Sequence, residues 1–344
     1  MNSNSQPRIL IVGNRGGTNI GECFERAAIS FGLEVCLLES RRAMDAPSWL
    51  RRLNWHLRGH RPTKLGVFSE AVYQQCSAWR PDALLTTGLA PLHQRALERI
   101  RSLGILTLNY LTDDPWNRTH YASWFMNAVT QYDFVFSPRR ANVRDLKAAG
   151  CRSVDYLPFA YDPSIHFAER ACGPDYSADV LFIGGADRDR LPYCEAIIQA
   201  GLRLSLYGDY WDRYAETREY FRGYASVGVL RMATPSAKVC LCLVRRANRD
   251  GHVMRSFEAP AMGGCMLVED TTEHRELFAE TVMYFKSIPE MVERAKWLLK
   301  NETERKRLAA AAHHRITTGW NTYADRLQTM LERTGLGSAA LMLR

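Results

Sequence analysis

The chain has 344 residues, 46% hydrophobic and 24% charged, enough for two domains with separate buried cores. It contains no apolar run of about eighteen residues, which argues against a membrane-spanning helix. The polar start, Met1 to Gln6, lacks the charged head and apolar run of a secretory signal. Nine scattered cysteines without a framework point to reduced thiols and a cytoplasmic location. The net charge of +8 is uneven: residues 1–162 hold 20 Lys/Arg against 14 Asp/Glu, and the remainder 25 against 23. The first half therefore favours an anionic partner, such as a membrane surface, a polyanionic glycan or a phosphorylated acceptor. No nucleic-acid-binding motif accompanies the charge.

The first half alternates strand and helix. Arg8 to Gly13 is an apolar run ending in glycine, as in a buried parallel strand. The loop Asn14 to Asn19 follows, then a helix through Phe31. Further strands are predicted at Glu34–Leu38, Ala83–Thr86, Ile105–Tyr110, Phe134–Phe136 and Val154–Leu157, with helices at Pro91–Ser102 and Arg139–Ala149. A turn-rich stretch, Pro158 to Tyr176, reads as a linker. The alternation restarts at Asp179–Gly185. Strands follow at Arg203–Tyr207, Lys238–Val244, Cys265–Val268 and Val282–Phe285. Helices are predicted at Arg190–Ala200, His252–Met262, Pro289–Lys300, Glu302–Ile316 and Thr322–Arg333. The expected class is α/β: two Rossmann-like parallel-sheet domains facing a central cleft, with ligands at the carboxyl ends of the strands. The expected domains are 1–162, 163–320 and a C-terminal helix within 321–344 that packs back on the first.

The segment Arg255-Ser-Phe-Glu-Ala-Pro-Ala-Met-Gly-Gly264 resembles the Glu-Ala-(Met/Pro)-Ala-x-Gly segment of group 1, GT-B-fold glycosyltransferases. Its wording is closer to the CgeB-like (spore-maturation) branch. Thr112-Asp-Asp-Pro115, Asp179-Val-Leu-Phe-Ile-Gly-Gly185, Leu206-Tyr-Gly208 and Asn321-Thr-Tyr323 resemble that branch's motifs in order. The resemblance spans roughly residues 8 to 333. It implies a GT-B glycosyltransferase using a nucleoside-diphosphate sugar as co-substrate. No resident cofactor or metal is expected, and transfer is expected to be retaining and metal-independent. The acceptor domain would come first and the donor domain second.

The resemblance also implies two acids eight positions apart, here Asp250 and Glu258, with Glu258 on the ribose hydroxyls and Asp250 on the transferred sugar. Asp250 departs from the usual Glu. Chemically, a carboxylate accepts two hydroxyl hydrogens at once, which suits a diol. The turn Arg249-Asp250-Gly251 before a helix offers backbone N–H groups to a diphosphate. Arg255, about one turn before Glu258, is a candidate phosphate clamp. The bland alternative is a helix capped by Asp250 with Glu258 in solvent. Gly184 and Gly185 end a strand beside Arg188 and Arg190, where a glycine turn and cations suit a phosphate; a plain turn reads as well. Arg245 and Arg246 end another strand, and Tyr207 is a candidate base contact.

On the acceptor side, Asp113 follows a strand and is the first candidate for orienting a hydroxyl. Asp114 is expected to cap a helix begun by Pro115. The loop Gly16-Gly17-Thr18 lacks the dinucleotide fingerprint and is taken as an acceptor or donor loop. His93 reads more readily as a helix-surface residue. Between Arg41 and Lys64 lie seven Lys/Arg and one Asp, with Trp49 and Trp55 interleaved. Such a segment can make peripheral membrane contact or grip an anionic acceptor; alternatively it is a solvated basic face with the tryptophans turned inward. A non-catalytic nucleotide-sugar-binding partner and a nucleotide-sugar epimerase remain the competing functions.

Overall fold

The run Ile9-Leu-Ile-Val12 is buried throughout, as a strand covered on both faces requires, and it forms the centre of β1 (Arg8–Gly13). The structure is a computed structural model describing residues 6–169 and 174–336. After β1 come α1 (Ile20–Ser30), β2 (Glu34–Glu39), α2 (Ser48–Leu57), α3 (Leu65–Trp79), β3 (Ala83–Thr87), α4 (Gln94–Ser102), β4 (Leu106–Tyr110), α5 (Ser123–Val129), β5 (Phe134–Ser137), α6 (Arg140–Ala148) and β6 (Val154–Tyr156). The second half holds β7 (Ala178–Ile183), α7 (Leu191–Gln199), β8 (Leu204–Tyr207), α8 (Val227–Ser236), β9 (Ala237–Cys242), α9 (Arg255–Ala261), β10 (Met266–Glu269), α10 (Thr272–Phe278), β11 (Met283–Phe285), α11 (Ile288–Lys300), α12 (Glu302–Thr318) and α13 (Tyr323–Thr334).

The chain divides into two units. The first gathers the residues through Pro158, the short segment Ala247–Arg249 and the chain from Tyr323 on. Its parallel sheet has the order β2-β1-β3-β4-β5-β6. Leu10, Val12, Leu84, Phe125 and Tyr132 belong to its core. Gly13 and Gly21 let α1 close on β1: a Cβ at Gly13 would lie 2.8 Å from the Gly21 Cα. Helix α13 packs against α1, with Tyr323 edge-on to Phe24 at 5.4 Å. The second unit spans Phe159–Arg246 and Asp250–Thr322 and has the parallel order β11-β10-β9-β7-β8. Val180, Phe182, Trp211, Val239 and Leu267 fill its core. Strand order reverses at β1/β3 in the first sheet and at β7/β9 in the second. Such reversals open a crevice at the strands' carboxyl ends. Among the described residues, no helix is long and apolar enough to cross a membrane.

Three local expectations are corrected. The helix expected from His252 begins only at Arg255. His252 is buried edge-on to Phe159 and Phe257, and its Nε2 accepts the Phe159 N–H at 3.2 Å, which holds residue 252 off the helical path. Glu258 consequently lies in the first turn of α9, not two turns in, and Asp250 does not cap it. Pro115 starts no helix. The Asp114 carboxylate accepts the Trp116 N–H at 3.0 Å and is shared with Arg249, and turns continue to the start of α5. Trp49 and Trp55 do not turn inward; they are 66% and 40% exposed. Part of the expected linker, 170–173, and the end of the chain, 337–344, lie outside the described residues.

Candidate functional site

The β7/β9 reversal collects the second unit's cations. Strand β7 ends in Gly184-Gly185, and Gly208 closes on it from the end of β8. A Cβ at Gly208, whose φ is +124°, would lie 2.6 Å from the Gly184 carbonyl oxygen, so only glycine fits. In the following turn, Asp187 Oδ1 accepts the Arg190 N–H at 2.9 Å and bends the chain into α7. This folds the buried Arg190 side chain back, and its Nη1 donates to the Gly185 carbonyl at 2.9 Å. At the end of β9, Arg245 Nε lies 3.7 Å from Asp187 Oδ2, and Arg190 Nε lies 3.6 Å from the same atom. Two guanidiniums thus share one carboxylate. Burial and then the Arg245 charge hold Arg190 below the ordinary guanidinium range, with Asp187 and Asp250 opposing. Arg188 is exposed. Arg246 is committed elsewhere, donating to Tyr193 Oη at 2.5 Å. Tyr207 is buried within β8, and burial raises its pKa.

The chain then reaches Asp250, whose N–H donates to the Arg245 carbonyl at 3.3 Å. The Gly251 carbonyl accepts from Thr271 Oγ1 at 2.5 Å. The first turn of α9 is fixed from beneath. His274 Nδ1–H donates to the Glu269 carbonyl at 2.8 Å, so Nε2 accepts the Ser256 hydroxyl at 2.9 Å. The Ser256 oxygen in turn accepts the Val253 N–H at 3.1 Å. Desolvation lowers His274 to about 4 and keeps it neutral. Glu258 is wholly buried, not solvated. It is ion-paired with Arg255 one turn earlier, and its Oε1 lies 3.5 Å from His166 Nε2. His166 Nδ1 accepts the Asp162 N–H at 2.9 Å, which leaves the Nε2 hydrogen for the carboxylate.

In the first unit, Asp113 follows β4 and Gly88 follows β3. A Cβ at Gly88, φ +63°, would lie 2.9 Å from Thr112 Oγ1, whose hydroxyl donates to Asp113 Oδ2 at 3.2 Å. The loop after β1 bends through Gly16 (φ +90°) and Gly17 (φ +61°). The Gly16 N–H is taken by Glu22 Oε2 at 2.6 Å, so this loop presents an acid where a phosphate-binding turn would present a free amide. Thr18 is half-buried on the same loop. His93 caps α4, its Nδ1 accepting the Ala96 N–H at 3.1 Å.

The structure thus brings Arg190, Arg245 and Asp250 together, and separately Arg255 with Glu258. The sequence reading missed His166, because no local pattern ties it to Glu258. It also missed Arg249, which sits at φ +52° and donates to Asp114 Oδ1 at 2.9 Å and Asn142 Oδ1 at 3.1 Å. The Asp114 hydrogen bond is the largest cause of its raised pKa. Gly88 did carry a signal, a glycine immediately after an apolar strand.

Residues 190–332 match the family model described as glycosyl transferase-like. No curated protein sequence matches the chain. Among solved structures it is similar to sucrose-phosphate synthase of Thermosynechococcus elongatus, with 15% identity, a TM-score of 0.69, and 97% of this chain and 100% of that one covered. The Anabaena protein HepE, solved with UDP-glucose, is similar at 12% identity and a TM-score of 0.65, over 96% and 100%. A Listeria monocytogenes protein described as a possible UDP-N-acetylglucosamine 2-epimerase follows at 13% and 0.60, over 96% and 97%. At these identities the likeness defines the fold, which is GT-B.

Proposed function

We propose that this protein transfers a glycosyl group from a nucleoside-diphosphate sugar to an acceptor hydroxyl, with the second unit holding the donor. The order of its motifs supports a place in the CgeB-like branch. The observation that carries the reading is the pair Arg190 and Arg245 sharing Asp187 at the carboxyl-end crevice of the second sheet. Two guanidiniums converge on one carboxylate in a partly buried place, and a diphosphate offers both of them further anionic oxygens.

In the reaction the acceptor oxygen bonds the anomeric carbon, the bond from that carbon to the diphosphate oxygen breaks, and the acceptor proton passes to a departing phosphate oxygen. Charge growing on the diphosphate is met by Arg190 and Arg245, which stand where a divalent cation would otherwise be needed. Delivery of the proton to the leaving group places attack and departure on one face of the sugar, hence retention. Asp250 orients the sugar. Arg255, whose side chain is 22% exposed, covers Glu258. Its swing onto a phosphate oxygen frees the carboxylate for the ribose diol. In the first unit, Asp113 orients the acceptor hydroxyl.

The test is calorimetric titration with UDP-glucose and other nucleotide sugars, followed by assay of nucleoside-diphosphate release. Arg190→Ala and Arg245→Ala are each expected to weaken donor binding by about tenfold or more. Because Glu258 is buried and paired, Glu258→Gln is a cleaner probe than alanine, and it should lower affinity for the nucleotide sugar. Unchanged affinity in all three variants sinks the donor site. Binding without release across many acceptors favours a non-catalytic binder. The likeness to the Listeria protein favours one further alternative, epimerisation, recognised by a product sugar still joined to its nucleotide.

A further inference from the structure

Helix α2 is amphipathic the wrong way round for a helix serving only a core. Its one buried residue is polar: Asn54, whose Nδ2 donates to Thr63 Oγ1 at 3.2 Å. Trp49, Leu53 and Leu57 recur every four residues and so line one face. They are 66%, 47% and 74% exposed. Trp55 stacks on His60 at 4.2 Å and is also exposed. Arg51 and Arg52 lie exposed on the same helix, and Arg42, Arg58 and Arg61 are exposed in the segments on either side of it. None of these five arginines forms an ion pair among the described residues. The segment 41–64 holds seven cations against one acid.

We propose that α2 and its arginine surround form a docking surface for an anionic phospholipid bilayer. An interfacial helix sinks an apolar face with Trp and Leu into the headgroup boundary while flanking cations meet lipid phosphates. A second copy of the chain is disfavoured as the occupant, because it would set one cation cluster against another. The segment also starts at a meaningful place. The Ser40 hydroxyl and the Arg41 N–H both donate to Asn14 Oδ1 at 3.0 Å, tying it to the loop after β1 at the carboxyl end of the first sheet. The bilayer surface would therefore lie near the strand ends where that sheet presents ligands.

The full chain is sedimented with vesicles of phosphatidylcholine alone and of phosphatidylcholine and phosphatidylglycerol in equal parts. Binding is expected to the anionic vesicles and to fall with added salt. Arg51→Glu with Arg52→Glu should lower it by roughly tenfold or more. Trp49→Ser with Leu53→Ser should lower it by a similar factor, about tenfold. Circular dichroism and thermal melts of both variants should match the parent, since every altered side chain is exposed. Equal binding to both vesicle types, or no binding to either, overturns the proposal. So does full binding by the Trp49/Leu53 variant, which would reduce the contact to adsorption of charge. A concentration-dependent dimer abolished by that variant overturns it in favour of a second copy.

Discussion

His274 shows how one proton can hold a segment in place. Its Nδ1 hydrogen is spent on a carbonyl and its Nε2 on the Ser256 hydroxyl, so a second proton would force that hydroxyl to turn away from the ring. The folded pKa of about 4 lies below the ordinary histidine value of 6.5. The unfolded chain therefore takes up the proton first, and stability present above pH 6.5 is lost as the pH falls toward 4. The full loss is on the order of 3 kcal/mol. Melting temperature should decline across this window, and His274→Gln should flatten the decline at a cost near neutrality of about 1–3 kcal/mol. Melts of both proteins at several pH values check this. At this scale the sequence was legible where chemistry is local, as in Arg255 and Glu258 on one helix turn. It was silent where partners are far apart in the chain, as with His166 and Glu258.

Among elements, both parallel sheets were readable, because strands covered on two faces must be continuous apolar runs and turns must interrupt them. The start of α9 was not, because a buried histidine outside the local pattern sets it. The junction between α9 and β10 is governed by side-chain size. A Cβ at Gly264 would meet Cys240 Sγ at 2.8 Å and Thr234 Cγ2 at 2.9 Å, both within the packed interior. Gly264→Ala should accordingly destabilise by about 1–3 kcal/mol. The second unit's melting transition, followed by calorimetry, should fall by several degrees, roughly in line with that cost. An unchanged transition would mean that helix and strand can separate freely there. The exposed stripe of α2 was also illegible, since the same residues read equally well as an inward-packed face.

At the scale of the whole chain, the main stretch of the first unit runs through Pro158. The assignment of Ala247–Arg249 to the first unit was not foreseeable. It depends on Arg249 reaching Asp114, Asn142 and Asp145, which no local pattern announces. The terminal helix is expected to be essential to the first unit only. Arg326 Nε and Tyr110 Oη both donate to the Pro158 carbonyl, at 2.9 and 2.8 Å. Ending the chain at Thr322 removes α13 and bares Phe24. Calorimetry should then show a lowered or lost transition for the first unit, with a second-unit transition retained. Loss of both together would show that the units unfold as one.

The packing of α13 on α1 also bears on synthesis. A ribosome delivers α1 early, yet its covering helix emerges only after all of the second unit, on the order of fifteen to sixty seconds later at about 5–20 residues per second. During that interval Phe24 waits without Tyr323, while the second unit already has every strand it needs. The second unit is thus positioned to finish folding before the first, whose α1 face stays uncovered until α13 emerges.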